Sequence, residues 1–211
     1  MGWVGRKTTK KGGRVMGKIK MGPQQLLNPR PAVLVGTHVD NKPNFLAVAW
    51  AGITSANPPT MSIAIRNIRY SLKGIRQNMT FSVNIPSVDM VKKLDYCGLV
   101  SGSKTDKVKD CDFKLFYGKL VSAPLIEQCP INIECEVLQI LNVGEHSLIV
   151  GEIVETYVSD NCFTEGLPDI RKINPLSLCT LTAKSRKYYA VGEFIADAYS
   201  IGKELKAGEK T

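Results

Sequence analysis

Two arginines and a serine stand at a spacing that suits an anion. Thr60 to Ile65 (TMSIAI) alternates Met61, Ile63 and Ile65 against Ser62 and Ala64, the period of a half-buried strand. It runs straight into Arg66-Asn67-Ile68-Arg69-Tyr70-Ser71. A short helix is expected over Ser71 to Asn78, with Leu72 and Ile75 three apart on one face. Helix N-termini offer free N–H groups and the positive end of the dipole. Ser71 adds a hydroxyl, and Arg66 and Arg69 add forked donors that match phosphate. A phosphate-bearing ligand would fit this run. Arginines three apart near a helix start also occur as a plain solvated face, and spacing alone leaves both readings open.

Other chemistries fare worse. No G-x-G-x-x-G run joins a strand to a helix, so the dinucleotide fingerprint is missing. Gly12 to Lys18 fits seven positions of a P-loop, but Ile19 replaces the hydroxyl residue that would hold magnesium. Ser101 to Lys104 matches S-x-x-K without the companion motifs, and no G-x-S-x-G elbow occurs. No catalytic protein nucleophile, acid or base is assigned. The six cysteines (Cys97, Cys111, Cys129, Cys135, Cys162, Cys179) form no C-x-x-C, and the two histidines are His38 and His146, so no metal site is expected. Reduced thiols in or near the core are the expectation, with a redox-active thiol pair as the alternative.

The elements that must position the arginines are mostly strands. Pro31–Asp40 and Asn44–Ile53 read as a hairpin about the turn Asp40–Pro43. Thr80–Ile85, Phe113–Leu120, Ile131–Leu141 and Ser147–Val158 read as further strands, the last two meeting at Asn142–Glu145. Ser87 is expected to N-cap a second helix carrying Val88, Val91 and Leu94. Val100–Asp112 reads as a polar loop, Asp160–Lys187 as mostly loop, and Tyr188–Ile201 as a final strand or helix. About seven strands with only short helices argue for a closed or nearly closed barrel.

Charge divides the chain. The net charge is +9, yet no acidic residue precedes Asp40. Residues 1–30 hold eight basic side chains, which leaves 20 basic and 19 acidic groups in the rest. Residues 1–23 therefore read as a basic, disordered extension, or as sequence ahead of a start at Met16 or Met21. Residues 24–203 form the folded domain and 204–211 a tail. Nucleic acid is an unfavoured partner, since Trp3 is the extension's one aromatic. No apolar run reaches membrane-spanning length and no signal-peptide core follows the N-terminus, so a cytoplasmic protein with no membrane partner is expected.

Five blocks occur in order: NFLAVAWAGI, SANPP, RNIRYS, FSVNIP and DYCGLVSGSKTDK. Together they resemble the flavoredoxin branch of the flavin reductase-like family, over about Pro31 to Lys203. The resemblance implies a mainly β fold, an FMN-binding split β-barrel of Greek-key type with a few short helices. It also implies a homodimer with the flavin at or near the interface. By resemblance Asn44 and Trp50 border the isoalloxazine ring, though a Trp in a strand is also ordinary core. The backbone of Ala49, Trp50, Ala51, Thr54 and Ser55 meets the pyrimidine edge. Arg66, Arg69, Tyr70 and Ser71 form the phosphate segment. Lys104 and Lys107 lie on the SG-x-x-x-DK loop, Lys107 matching a lysine near the flavin and Lys104 either beside it or simply solvated, and His146 matches a histidine after the hairpin turn, either facing the cofactor or simply exposed. Where relatives often place an aromatic residue over the flavin, this chain has Ser177-Leu178-Cys179-Thr180. Leu178, Cys179, Tyr188 and Tyr189 are the candidates for that space. The implied activity is NAD(P)H:FMN oxidoreduction of flavoredoxin type. The alternative is an FMN-bound electron carrier reduced by a protein such as ferredoxin.

Overall fold

The computed structural model describes residues 14–15, 17–182, 185–203 and 205. Much of the expected extension and nearly all of the expected tail lie outside these residues. Arg14–Val15 and Lys18–Ile19 pair as a two-residue antiparallel ladder.

Seven antiparallel strands carry the fold: β1 Val33–Val39, β2 Lys42–Val48, β3 Ala51–Ala56, β4 Pro59–Arg66, β5 Thr80–Ile85, β6 Ile131–Val143 and β7 His146–Val158. Their order across the sheet is β2-β1-β5-β6-β7-β4-β3. The edge strands β2 and β3 are consecutive in the chain, so Ala49–Trp50 must carry it from one edge to the other. The bond from Ala64 N to Trp50 O at 2.8 Å only extends the β3–β4 pairing, and among the described residues no β2–β3 ladder forms. The result is a split barrel rather than a closed one, in a chain that is mainly β. This is also why the expected single strand Asn44–Ile53 is two. Its apolar run is continuous, but its hydrogen-bonding partner changes in the middle.

The β1–β2 hairpin turns at Asp40 and Asn41, with φ of 51° and 61°, the type I′ geometry that matches strand twist. Both faces of these two strands are buried. Val33, Val35, Leu46 and Val48 point into the barrel core with Ile63, Phe81 and Ile149. Leu34 and Phe45 point the other way, against Leu94, Cys97 and Phe113. Alternation therefore splits one hydrophobic run between two cores.

Helix α1 spans Ser71–Asn78, as its apolar spacing requires. Leu72 and Ile75 fill the barrel core, each such side chain contributing about 1.5–3 kcal/mol. Gly74 permits the close approach, since an added Cβ would fall 2.1 Å from His38 O. Met79, left-handed at φ 52°, ends the helix. Helix α2 is Val91–Leu99, preceded by a 3-10 turn at Val88–Met90. Ser87 does occupy that turn's N-cap, but its hydroxyl bonds the Asp89 carboxylate and not a backbone N–H.

Four expectations need correction. Within Phe113–Leu120 only Leu115–Phe116 is strand, paired to Leu125–Ile126. Further on, the amides of Lys119 and Leu120 go to the buried Glu134 carboxylate at 3.0 and 2.8 Å. The polar loop 100–112 contains a four-residue helix α3, Lys107–Asp110, capped by Asp106. The stretch 160–187 holds most of a hairpin, β8 Ser177–Thr182 and β9 Ser185–Tyr189, whose β8 also pairs with Arg30–Pro31. Beyond Tyr189 the chain has no ladder partner and no regular structure until a 3-10 turn at Ile201–Lys203. The expected final strand or helix is therefore confined to β9's last two residues.

Candidate functional site

Three cavities follow edge strand β2. The first, about 370 Å³, sits on the seam and is lined by Leu46 to Trp50, Arg66, Arg69 and His146. The second, about 200 Å³, lies at the start of α1 and is lined by Asn44, Leu46, Arg69, Tyr70, Ser71 and Lys107. The third, about 410 Å³, includes Lys42, Asn44, Tyr70 and Lys104. Leu46 and Arg69 are common to the first two, and Asn44 and Tyr70 to the last two.

At the seam, Trp50 stacks on His146 with centroids 4.5 Å apart and planes 25° from parallel. His146 opens β7 in register with Arg66, the last residue of β4. Arg66 is half exposed and paired to Glu145 at 3.0 Å. The expected backbone contacts divide. Ala49 and Trp50 line the cavity, whereas Ala51, Thr54 and Ser55 lie along β3. Among the described residues that strand pairs with β4 alone, so its outer edge has N–H and C=O groups without ladder partners there. The Thr54 hydroxyl itself is taken by Thr60 at 2.6 Å, and Ser55 Oγ accepts from Asn57 N at 3.3 Å.

The α1 pocket is lined by the Ser71 hydroxyl. Ser71 is 2% exposed, and its Oγ accepts from Asn44 Nδ2 at 2.7 Å. Asn44 is itself held in place by Gly102, where a Cβ would fall 1.8 Å from Asn44 Oδ1. Accepting the Asn44 bond leaves the Ser71 proton free to donate, and two cations join it. Lys107 is 3% exposed, and its Nζ donates to Phe45 O at 2.8 Å and Cys97 O at 2.9 Å. An ammonium has three donors, so one remains for the pocket. Arg69 donates Nη1 to Gly98 O at 3.1 Å. Among the described residues neither cation forms an ion pair. Burial pushes the Lys107 pKa down, and the Arg69 charge works in the same direction. Two cations with no counter-ion, one of them deeply buried, are costly unless an anion joins them. Tyr70 closes the pocket, its hydroxyl 3.4 Å from Asp40 Oδ2. Lys104 lines the third cavity and neither of the other two.

Several site residues escaped the sequence. Arg30 is 9% exposed, donates to the carbonyls of Leu27 (2.6 Å) and Gln25, and lies 5.9 Å over Trp50. Arg186 reaches the seam cavity from β9. Only the alternation of Ser185–Tyr189 could have signalled it. Of the four candidates for the space over the seam, Leu178 and Tyr188 line a 260 Å³ annex and Cys179 and Tyr189 do not. The Tyr188 hydroxyl donates to Asp95 at 2.8 Å, and burial, then Asp95, drives its pKa far up.

The thiols sit apart from these cavities. Cys97 and Cys111 have Sγ atoms 4.0 Å apart, a thiol–thiol contact without a disulfide. Burial pushes the thiols of Cys97 and Cys135 up to about 12. Among the described residues no helix is long and apolar enough to cross a membrane.

A family model described as "Flavin reductase like domain" matches residues 26–191. The flavoredoxin from Methanosarcina acetivorans is 40% identical with a TM-score of 0.83, the match covering 89% of this chain and 98% of that one. The flavoredoxin of Desulfovibrio vulgaris (Miyazaki F) is 36% identical with a TM-score of 0.81, covering 88% and 99%. An uncharacterized protein from Archaeoglobus fulgidus is 32% identical over 146 residues, 69% of this chain and 81% of that protein. The matched span includes the seam, the α1 pocket and the 260 Å³ annex, and the chain belongs to the flavin reductase-like family.

Proposed function

We propose that this protein binds FMN along β2 and works as an NAD(P)H-dependent flavin oxidoreductase of flavoredoxin type. The observation that carries the reading is the pair Arg69 and Lys107, two cations at the start of α1 that among the described residues have no carboxylate partner. The donor set fits the cofactor. A phosphate suits the free Lys107 donor, the Arg69 fork and the first turn of α1. A flat, amide-edged ring suits the seam, where unpaired backbone groups adjoin the Trp50–His146 stack. Membership of the family and the two flavoredoxin likenesses support the same cofactor.

Bound FMN supplies the two-electron chemistry, with N5 as its hydride acceptor. The residues of this chain bind and orient. Lys107 and Arg69 anchor the phosphate, and the Asn44–Ser71 bond fixes the wall between them. Backbone from Ala49 to Ser55 orients the ring, with His146 and Trp50 at its side. Leu178 narrows the approach and keeps water from the ring, while Arg186 and Arg66 mark the mouth. A second copy of the chain is proposed to cover the open β3 edge, where Ile53 is 69% exposed.

The test is anaerobic rapid mixing of the FMN-loaded protein with NADH and with NADPH. Bleaching of the flavin band by either donor is expected, and no bleaching by both rejects the reductase. The exposed arginines at the mouth favour a second reading, a carrier reduced by an acidic protein such as ferredoxin. It expects tight FMN with negligible NAD(P)H turnover and reduction by ferredoxin that weakens with salt.

A further inference from the structure

Among the described residues, the seam cavity gathers four arginines and no carboxylate: Arg30, Arg66, Arg69 and Arg186. The four are not equivalent. Arg186 is exposed, and Arg66 is half exposed and paired to Glu145. Arg69 also lines the α1 pocket, where the flavin reading gives it to the phosphate. Arg30 is 9% exposed, and among the described residues no carboxylate pairs with it. A charge in that setting is little screened by water and is costly without a partner.

The chain around Arg30 fixes it. Arg30–Pro31 pairs with Ser177–Leu178 of β8. Two residues earlier the Asn28 side chain ties the same segment to that strand, donating to Thr180 O at 3.0 Å and accepting from Thr180 N at 2.9 Å. Arg30 Nε donates to Leu27 O at 2.6 Å, and Nη2 donates to Gln25 O. A guanidinium has five N–H donors, so among the described residues three are left without an acceptor. Its carbon lies 5.9 Å from the centre of the Trp50 ring, a cation–π distance. Trp50 is in turn the residue stacked on His146. Arg30 is therefore a fixed cation with spare donors in the cavity that the flavin reading gives to the ring.

We infer that Arg30 is the cation that stabilises the ring in its reduced form and so raises the potential of the bound cofactor. The inference rests on the flavin reading above and adds to it a residue that acts on the ring's redox state, where Lys107 and Arg69 act on its anchoring. Hydride transfer from NAD(P)H brings two electrons and one hydrogen nucleus to N5, NAD(P)+ leaves, and the ring that was neutral gains one negative charge. A fixed guanidinium favours the charged ring over the neutral one. Unequal binding of the two forms is what moves a potential. The phosphate anchors do not supply it, because the phosphate carries the same charge in both forms.

The test is the midpoint potential of FMN bound to the full chain, measured without oxygen against reference dyes, with free FMN alongside. Bound FMN is expected above free FMN. Arg30→Met is expected to weaken reduced FMN about 10- to 100-fold more than oxidised FMN, which lowers the potential by about 30–60 mV. Arg30→Lys keeps the charge and loses the fork, and its potential is expected to lie above that of Arg30→Met and above free FMN. Riboflavin should give the same order, since it has the ring and no phosphate. A parent protein whose bound FMN lies at or below free FMN overturns the inference, and this measurement needs no variant. An Arg30→Met protein with the parent's potential also overturns it, and so does an Arg30→Lys protein at or below free FMN. In those cases Arg30 only pins the segment before β1. If loss of the tethers unfolds Arg30→Met, the parent and Arg30→Lys carry the test. Failure of the parent to bind FMN removes the flavin reading and the inference with it.

Discussion

Replacing Lys107 by methionine separates anchoring from architecture. The ammonium is buried, gives two donors to the carbonyls of Phe45 and Cys97, and keeps one for the α1 pocket. A charge-assisted hydrogen bond contributes about 1.5–3 kcal/mol, so losing the bond to a phosphate weakens FMN roughly 10- to 150-fold. Stability changes less. Two carbonyls lose a donor, but a charge whose desolvation costs free energy is also removed, and the terms oppose. A net loss of about 1 kcal/mol lowers the melting temperature by roughly 2–4 °C in a chain of this size.

The pH dependence supplies an independent check. Burial sets the folded Lys107 pKa below its ordinary 10.5. Between the folded value and 10.5 the unfolded chain holds more protons, so the ligand-free protein gains stability from this group as pH rises through that window. FMN binding has the opposite slope, because the phosphate prefers the charged ammonium. Affinity should fall on the alkaline side as Lys107 discharges, and on the acid side as the phosphate takes up its proton near pH ~6. Fluorescence titration of FMN across that range is the assay. Lys107→Met should keep the acid limb and lose the alkaline one. A variant with FMN affinity within about twofold of the parent, and both limbs present, refutes the anchoring role.

Gly102→Ala would place a Cβ 1.8 Å from Asn44 Oδ1, so the Asn44–Ser71 bond should break and FMN affinity should fall together with the melting temperature. Glu134→Ala strands the amides of Lys119 and Leu120 and the Tyr157 hydroxyl, and chemical denaturation should show a loss of about 3–5 kcal/mol. Thiol titration of the native protein near neutral pH should find Cys179 reacting first. Buried Cys97, Cys129 and Cys135, their thiols raised by burial, should react only on unfolding.

Sequence reasoning succeeded where structure is local. Helix α1 follows from Leu72 and Ile75 and ends at Asn78, as expected. Strand β4 shows because one face of it is wet and the other dry, which leaves a period of two in TMSIAI. The seam does not show, because nothing in VAWAG breaks a strand. The ladder stops there only because β1 and β4, far apart in the sheet, each claim one half. Lys107 is the sharper case. GSKTDK reads as a solvated loop, and the carbonyls that bury the lysine lie 62 and 10 residues away. The resemblance pointed to Lys107, while composition would have left it in water. Ser71 was legible as a hydroxyl at the helix start, but not its burial or the bond from Asn44, which its oxygen accepts while its own proton is left to donate.

These features share a physical origin. An open seam leaves backbone groups without partners, and the α1 pocket leaves cations without counter-ions, so the ligand-free fold carries electrostatic cost in one place. A ligand that supplies both kinds of partner must therefore stabilise the protein. At FMN concentrations of about 100 times its Kd the gain is about 2.7 kcal/mol. At roughly 2–4 °C per kcal/mol the melting temperature should rise by about 5–11 °C. Riboflavin separates the two contributions, since it keeps the ring and lacks the phosphate. It can satisfy the seam but not Arg69 and Lys107, so at equal concentration its shift should be much smaller. Adding inorganic phosphate to riboflavin should recover part of the difference. Equal shifts from FMN and riboflavin would mean that the α1 cations have no part in holding the cofactor, and the seam alone would then have to account for it.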